Sequence, residues 1–524
     1  MHIVGNRTLR TALEQKVAAQ PDKTFVVFED AAGGVQRYTY AEFDAQVNRT
    51  ANLLADLGVG HGDKFNVHLP NCPEFLFWWF AGAKLGAVMV PTNVLEPPEA
   101  MAYLLGFSES RIAVTQPEYL GAIAPVRARC PALRHVVLCR TEQAEPGTLG
   151  YDAQVAGRPA TAPDARVTPR DECAMCFTSG TTSRPKGCLI THANYVYVGE
   201  SVSKSLRVAP DDRHMVVLPL FHVHAQYYQT MTALVVGASL ALMERFSASR
   251  YFDQVIAHQA TVGGLFAAPI RMILAQPRRP GHRRNALRIV QFAMSVTAAQ
   301  LDEWHERFGA PLVQMYGMTE TIGQPTINPL DAPRKNMSIG TVALGYECRV
   351  VDETGREVPP GVEGQLVVRG EPGITLMKGY YKNPEATAAT IRDGWLRTGD
   401  VVRMDEDGYF WFVDRAGDLI KRGGENVSAG EVEAVLKQHP AVFDAAVVGV
   451  PDAMRDEAVL ACVVLRDDAR VTAEELIAFC EPRLAKFKVP EIVEFRDELP
   501  RTPVGKIQKH RLRAEARAKH EVRG

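Results

Sequence analysis

The sequence predicts an α/β protein with more than one domain. Its 524 residues are too many for one compact core. From the start to about Val290, helical patterns alternate with short β-branched runs, as in βαβ units, whereas short alternating strands with turns fill Gly340 to Val413. After about Gly417, helices and strands are mixed. We therefore expect a large N-terminal domain of helix-covered parallel sheets with a small β-barrel-like subdomain, followed by a smaller α+β domain.

The first elements are predicted from the signals at their ends. Thr39 and Glu42 form a capping-box pattern for a helix that ends near Gly58, and a strand is predicted over Phe65 to Leu69. This alternation of helix and strand leads to a parallel sheet.

The densest apolar stretch, Phe75 to Val90, is not expected to cross a membrane. Lys84 and Gly86 interrupt it, and Pro73 favours the start of a helix that ends at Gly86, before a buried strand. No signal-peptide pattern is visible, and 59 basic residues nearly balance 61 acidic ones. We expect a cytoplasmic enzyme that has no membrane span and no nucleic-acid partner.

A domain boundary is predicted near Gly417, within the charged and glycine-rich run DRAGDLIKRGGEN. This composition suits a hinge, although a plain linker has the same composition. The predicted domains are residues 1–416 and 417–524. The elements expected in the second domain are a helix from Ala429 to His439, strands near Ala445 to Val450 and Val459 to Leu465, and a helix capped by Thr472 and Glu475.

The run FTSGTTSRPKG, from Phe177 to Gly187, is built to hold a polyphosphate. Small residues let backbone N–H groups approach anionic oxygens, hydroxyls add donors, and a lysine supplies charge. The run follows a predicted buried strand, and ligands bind at the carboxyl ends of such strands. A solvated surface turn has the same composition. The candidate residues are Thr178, Ser179, Gly180, Thr181, Thr182 and Lys186.

Three further segments carry chemistry suited to a nucleotide. In MYGMTE, Tyr316 offers an aromatic face, Thr319 a hydroxyl and Glu320 a carboxylate for Mg²⁺, although an ordinary turn looks similar. In WLRTGD, Asp400 follows a glycine turn and can accept both hydroxyls of a ribose; an Asx turn is the alternative. In LPRTPVGKI, Lys506 lies where a folded-over small domain could bring it to a carboxylate and an α-phosphate.

Other patterns leave their alternatives open. Asp414 and Arg415 suit a structural ion pair as well as a ligand contact. His222 and His224 resemble an HxH metal pair without a third ligand, so pocket lining is favoured. The tract RRPGHRRN is a solvated loop or a contact for a cosubstrate phosphate. The CxxC of Cys173 and Cys176 is expected to hold buried reduced thiols.

Together and in this order, these segments resemble the adenylate-forming superfamily of acyl-CoA synthetases, nonribosomal adenylation domains and firefly luciferase. SRPKG, YGMTETI, IKRGGENVS, MRDEA and KFKVP resemble the branch that contains crotonobetaine/carnitine-CoA ligases. The resemblance implies an AMP-forming acyl-CoA ligase, in which a carboxylic acid and MgATP give an acyl-adenylate and pyrophosphate, and the CoA thiol then displaces AMP. ATP, Mg²⁺ and CoA are the implied cofactors. A carrier-protein loader or a thioester-forming half-reaction enzyme is the alternative, and the oligomeric state stays open, a homodimer included.

The resemblance also assigns roles. It implies that the small domain rotates about Gly417 between the two steps, which removes Lys506 and opens a thiol channel. By motif match, the β- and γ-phosphates of ATP fall to Thr178 through Lys186, adenine to Tyr316, the α-phosphate to Thr319 and Mg²⁺ to Glu320, and Gly317 is counted among the ATP-binding residues. The ribose falls to Asp400 and Arg415, adenylation to Lys506, and the thiol channel to Gly423, Gly424 and Glu425.

The acyl site departs from the family pattern. The stretch LFHVHAQYYQ has aromatics and histidines but no acid for a betaine ammonium, and FAMSV has Ala and Met where the family tends to have glycines. Of the two groups that would favour such an ammonium, a carboxylate and an aromatic cage, only the aromatic cage is available, so the carnitine-type substrate is not carried over from the resemblance. The expected pocket residues are His222, also counted as catalytic, Val223, Gln226, Tyr227, Phe266, Ala293 and Met294.

Overall fold

The computed structural model describes residues 3–178, 185–415, 418–422, 425–452, 456–502, 505 and 507–520. Within these ranges, no helix combines the length and the hydropathy needed to cross a membrane. A π-helix, Ala225–Met231, directly precedes α7. The α-helices are α1 Leu9–Ala19, α2 Tyr40–Asp56, α3 Pro73–Leu85, α4 Pro98–Ser108, α5 Tyr151–Val155, α6 His192–Ser205, α7 Thr232–Val236, α8 Tyr251–Ala257, α9 Ala267–Leu274, α10 Ala298–Phe308, α11 Pro384–Thr390, α12 Ala429–Leu436, α13 Ala473–Cys480 and α14 Lys509–His520.

Two large sheets form the first part of the chain. Their strands are β1 Thr24–Glu29, β2 Val35–Thr39, β3 Lys64–Val67, β4 Val88–Pro91, β5 Ile112–Thr115, β6 His135–Leu138, β7 Leu149–Gly150, β8 Glu172–Thr178, β9 Lys186–Thr191, β10 Arg213–Val216, β11 Ser239–Met243, β12 Val262–Phe266, β13 Ile289–Ala293, β14 Leu312–Tyr316, β15 Thr326–Ile327, β16 Thr341–Val342 and, from further along the chain, β19 Gly379–Tyr380.

The large sheets are mainly parallel, as predicted. One has nine strands in the order β16-β15-β14-β13-β12-β10-β11-β1-β2, and the other has eight in the order β19-β9-β8-β4-β3-β5-β6-β7. The interior pairs are parallel, and antiparallel strands occur only toward the edges, at β2, β15, β16, β9 and β19. Helices pack against both sheets, and the aromatic side chains Trp78 and Trp79 of α3 are fully buried. The carboxyl ends of these strands position the candidate site.

A smaller antiparallel sheet follows. It has five strands, in the order β17-β18-β21-β20 with β22 paired to β21. Its strands are β17 Glu347–Val351, β18 Glu363–Arg369, β20 Ile391–Arg392, β21 Trp395–Met404 and β22 Phe410–Arg415. Turns separate the strands of this section, as predicted, and Gly355 and Gly361 in two of them have φ angles of 86° and 85°. This sheet is the small subdomain that the change of pattern predicts.

A C-terminal α+β domain begins after β22. Its sheet has five strands in the order β24-β23-β26-β25 with β27 paired to β26. The strands are β23 Ile420–Arg422, β24 Glu425–Val427, β25 Val442–Asp452, β26 Asp456–Leu465 and β27 Ile492–Phe495. The predicted helix from Ala429 ends at Leu436 rather than at His439. Pro440 explains the difference, because the residue before a proline avoids the helical region.

The end signals read from the sequence are confirmed. Thr39 and Glu42 form a reciprocal capping box on α2, and Thr472 and Glu475 form another on α13. Helix α3 begins at Pro73 and ends at Gly86, which has a left-handed φ of 74°. Local capping chemistry therefore fixes the ends of these helices.

Candidate functional site

The predicted phosphate loop joins two strands of the eight-stranded sheet. Thr178 ends β8, Lys186 begins β9, and the two residues are cross-strand partners. The predicted donors between them, Ser179 to Thr182, lie outside the described residues. The Pro185 carbonyl accepts a hydrogen bond from Tyr103 at 2.9 Å, which holds the exit of the loop. The loop thus leaves the sheet at the carboxyl end of β8, as expected.

A tyrosine connects Lys186 to Glu320. The Lys186 Nζ lies 4.3 Å from the centre of the Tyr380 ring, and the Tyr380 hydroxyl donates to Glu320 Oε1 at 2.8 Å. Burial and the nearby Glu320 carboxylate raise the pKa of Tyr380, so its hydroxyl keeps its proton and remains a donor. Tyr380 belongs to none of the sequence motifs that predict the site. It reaches the site because β19 pairs with β9, which sets Tyr380 opposite Cys188.

The segment around Glu320 is tightly constrained. Thr319 to Thr321 forms a 3₁₀ turn, and Ile322 follows with φ 63° and ψ −64° while the Gly323 N–H donates to the Thr321 carbonyl at 2.7 Å. This is a γ-turn in the rare, strained form. The Ile322 side chain is fully buried, so packing holds it in place. The strain lies beside Thr319 and Glu320, two predicted site residues.

Gly317 has no room for a side chain. A Cβ at this position would lie 2.5 Å from the Tyr228 hydroxyl and 2.8 Å from the Gly323 carbonyl oxygen. Since the Tyr228 hydroxyl itself donates to that carbonyl at 3.2 Å, the two contacts are coupled. Gly317 therefore allows the π-helix to pack against the segment that carries Glu320.

The predicted adenine and ribose residues lie together. The Tyr316 hydroxyl donates to Asp400 Oδ2, and Asp400 is the cross-strand partner of Arg415 between β21 and β22. Asp400 is buried, at 2% exposure. Gly399 precedes it with φ 74° but lies within β21, at a bulge opposite β18, so the glycine turn predicted here is a β-bulge inside a strand. Three motifs far apart in sequence thus meet at one place.

Asp414 has a structural contact. Its Oδ2 accepts from the Gly430 N–H at 3.2 Å and from the Ser428 hydroxyl at 3.4 Å, at the amino end of α12. The Ser428 hydroxyl also donates to the Val413 carbonyl at 2.9 Å. These bonds join the last strand of the large domain to the first helix of the C-terminal domain.

The predicted acyl residues divide into two groups. His222 and Phe266 lie together, with ring centres 5.7 Å apart, and His224 is packed against Phe266 at 4.9 Å. Gln226 and Tyr227 are fully buried and contact Tyr195 of α6. Val223 is buried as well, Ala293 ends β13, and Met294 follows it at 41% exposure with a left-handed φ of 72°.

The second histidine of the HxH pattern is buried and neutral. Burial lowers the pKa of His224 to about 3, and neither ring nitrogen has a hydrogen-bond partner. Gly264 lies beside it, because a Cβ there would be 2.9 Å from the His224 Cε1. In the part of the chain that is described, no three His, Cys, Asp or Glu side chains are grouped to hold a metal ion.

The basic tract and the CxxC pattern have structural roles. Arg278 pairs with Glu306 at 2.7 Å and Arg279 with Asp253 at 2.9 Å, so this part of the basic tract is engaged in surface ion pairs. Cys173 and Cys176 are buried free thiols, and burial raises the pKa of Cys176 to about 12. Both observations agree with the structural alternatives for these segments.

The C-terminal loop at Gly505 approaches the predicted acyl-pocket residues. A Cβ at Gly505 would lie 3.2 Å from the Ala268 Cβ, in the helix that follows Phe266. Gly505 immediately precedes Lys506, which lies outside the described residues, as do Gly417, Gly423 and Gly424. Arg415 and Glu425 are described by their backbones, at the ends of β22 and β24.

Comparisons with known proteins cover nearly the whole chain. The AMP-binding enzyme family matches residues 13–381, and the AMP-binding enzyme C-terminal domain matches residues 431–506. Crotonobetaine/carnitine–CoA ligases of Salmonella heidelberg and Salmonella typhimurium are 41% identical over 518 residues, covering 98% of this chain and 100% of theirs.

Solved structures give the same result. The anthranilate CoA ligase AuaEII in complex with anthranoyl-AMP is 28% identical with a TM-score of 0.92, covering 99% of this chain and 100% of that one. ATP-bound MatB from Rhodopseudomonas palustris is 30% identical with a TM-score of 0.87, covering 97% and 99%.

Proposed function

This chain belongs to the AMP-binding enzyme family and is an AMP-forming acyl-CoA ligase, and we propose that Lys186, Glu320 and Lys506 serve its first step. The observation that carries this assignment is the Tyr380 bridge between Lys186 and Glu320, because it joins the phosphate-loop hairpin to the carboxylate proposed for Mg²⁺. A hairpin that only joined β8 to β9 by a surface turn would not need a contact with Glu320.

ATP binds with its outer phosphates at the hairpin. Lys186 supplies a positive charge, and Thr178, Ser179, Gly180, Thr181 and Thr182 supply hydroxyl and backbone donors. Glu320 is the candidate ligand for Mg²⁺. One carboxylate suits this ion, which keeps several waters and is held by one or two carboxylates together with substrate phosphates.

The nucleoside lies against Tyr316 and Gly317. Asp400 accepts hydrogen bonds from the ribose hydroxyls, and Arg415 donates a hydrogen bond to them. The cross-strand pairing of the two residues supports this assignment. Thr319 contacts the α-phosphate. The buried contact from Tyr316 to Asp400 supports a single rigid binding surface.

The two chemical steps follow from the reactivity of a carboxylate. Its oxygen attacks the α-phosphorus and pyrophosphate leaves; the CoA sulfur then attacks the acyl carbon and AMP leaves. Lys506 stabilises the negative charge that develops in the first step. In the second step the domain from residue 417 onward rotates about Gly417, and CoA passes Gly423, Gly424 and Glu425. The approach of Gly505 to Ala268 supports the arrangement for the first step.

The acyl substrate is a small carboxylic acid without a positive charge. The relatives are named for crotonobetaine and carnitine, but residues 220–229 and 292–296 contain no Asp or Glu. His224 is neutral, and its ring packs against Phe266 and Tyr228. Without a carboxylate, an ammonium would depend on the faces of these aromatic rings alone, whereas an uncharged group needs no counter-charge.

A panel of carboxylic acids with MgATP, with and without CoA, tests this function. AMP release and thioester formation are scored separately. The most informative pair is 4-trimethylammoniobutyrate and 5,5-dimethylhexanoate, which have the same shape and differ in one positive charge. We expect the neutral acid to be turned over faster. A preference for the ammonium compound would contradict the substrate class, and failure of every acid would contradict the assignment of the first step.

A further inference from the structure

A buried carboxylate lies where the two domains meet. Asp444, on β25, is 2% exposed and accepts from Arg501, while the Lys437 Nζ lies 2.9 Å from its Oδ1. These two partners belong to the C-terminal domain, as Asp444 does. The third cation does not: Arg271 lies on α9 of the large domain, and its guanidinium is 3.9 Å from Asp444 Oδ2. One carboxylate therefore joins a pair of cations from its own domain to a cation from the other domain.

Arg501 continues this contact to the loop of the proposed catalytic lysine. Its guanidinium donates to the Gly505 carbonyl at 2.7 Å as well as to Asp444. The loop is closed by a backbone bridge between Arg501 and Ile507. Gly505 has a left-handed φ of 81°, and its N–H donates to the Thr502 carbonyl at 2.7 Å. Arg501 thus fixes the peptide that immediately precedes Lys506.

Arg271 has a second contact on the large domain. Its guanidinium donates to the Ser295 carbonyl at 3.4 Å. Ser295 follows Met294, one of the predicted acyl-pocket residues. The pKa of Arg271 is lowered, mainly by burial and also by the neighbouring Arg501 charge, while the Asp444 carboxylate raises it. Since three cations surround one carboxylate, removing that carboxylate would leave Arg271 and Arg501 facing each other unpaired. The ion pair between Arg271 and Asp444 can form only while the two domains are docked.

We propose that Arg271 is a positioning residue for the adenylation step, which acts through Asp444 and Arg501 on the loop that carries Lys506. When the C-terminal domain rotates for the thioester step, the bond between Arg271 and Asp444 breaks, whereas the bond between Asp444 and Arg501 moves with the domain. The proposal rests on the assignment of adenylation to Lys506. It predicts that Arg271 affects one of the two chemical steps and not the other.

The test measures the two steps separately. ATP–pyrophosphate exchange reports adenylation, and turnover of a synthetic acyl-adenylate with CoA reports thioester formation. Arg271→Gln is expected to slow the exchange about tenfold and to change thioester formation by less than about twofold. Arg271→Lys, which keeps the charge, is expected to restore most of the exchange. Equal loss of both steps, or loss of neither, would overturn the proposal.

Lys437→Gln is the matched control, because Lys437 contacts the same carboxylate from within its own domain. This variant is expected to leave the ratio of the two rates unchanged. In an Asp444→Asn background, Arg271→Gln should cause no further loss of exchange, since residues that act through one contact are not additive. An additive loss would show that Arg271 acts elsewhere. Lys506→Ala separates the two hypotheses: undiminished exchange in that variant contradicts the proposed function itself, whatever the Arg271 variants do.

Discussion

The Tyr380 hydroxyl donates a hydrogen bond to the Glu320 carboxylate, while the Tyr380 ring lies beneath the Lys186 ammonium. Tyr380→Phe removes the first contact and keeps the second. A hydrogen bond to a charged group contributes about 1.5–3 kcal/mol, so we expect kcat/KM for MgATP to fall roughly 10- to 100-fold. Steady-state kinetics across a magnesium titration measure this effect.

Tyr381→Phe is the control for this experiment. Tyr381 is the next residue along the chain. Its hydroxyl donates to Glu109 at 2.7 Å on the exposed surface. We expect kinetics within about twofold of the parent enzyme, because exposed pairs contribute about 0–1 kcal/mol. Equal effects of the two variants would contradict the role of Tyr380.

Gly317→Ala is expected to impair adenylation. Its new methyl group would meet the Tyr228 hydroxyl and the Gly323 carbonyl, and overpacking of this kind costs about 1–3 kcal/mol. Pyrophosphate exchange and thermal unfolding measure the two consequences. Gly106→Ala is the control, since no atom lies within 4 Å of a Cβ there and Gly106 is helical. That variant should be more stable, by about 0.5–1 kcal/mol.

Met294 and Met272 provide a pair of substitutions with opposite expected signs. Met294 is exposed and has a left-handed φ, so Met294→Gly relieves strain of about 1–2 kcal/mol and is expected not to lower the free energy of unfolding. It should also admit bulkier acids. Met272 is also exposed, at 50%, but lies within α9, where glycine costs about 1 kcal/mol. Denaturant unfolding of both variants is the measurement, and destabilisation by Met294→Gly would contradict the expectation.

The buried histidines predict a loss of stability in acid. Burial lowers the pKa of His214 to about 4, so the native state stays neutral while the unfolded state binds a proton below pH about 6.5. The free energy of unfolding therefore falls as the pH drops from about 6.5 to 4, by up to about 1.4 kcal/mol per pH unit for this group. His214→Phe should flatten the slope by that amount.

The elements and motifs that the sequence predicts correctly are those whose signals are local. Capping at Thr39, the glycine at the end of α3 and the strand before the phosphate loop all depend on neighbouring residues. Tyr380 and Arg271 could not be found in this way. Each reaches its partner through pairing or docking between distant segments, and neither lies in a pattern that differs from an ordinary strand or helix.

The π-helix from Ala225 to Met231 has a consequence for how this pocket diversifies. A π-helix holds one more residue in its turn than an α-helix does. Deleting a single residue there would rotate the histidines relative to the aromatic side chains that follow them. Because Tyr228 of this helix also donates to the Gly323 carbonyl beside Gly317, such a deletion would disturb the acid pocket and the proposed nucleotide site together.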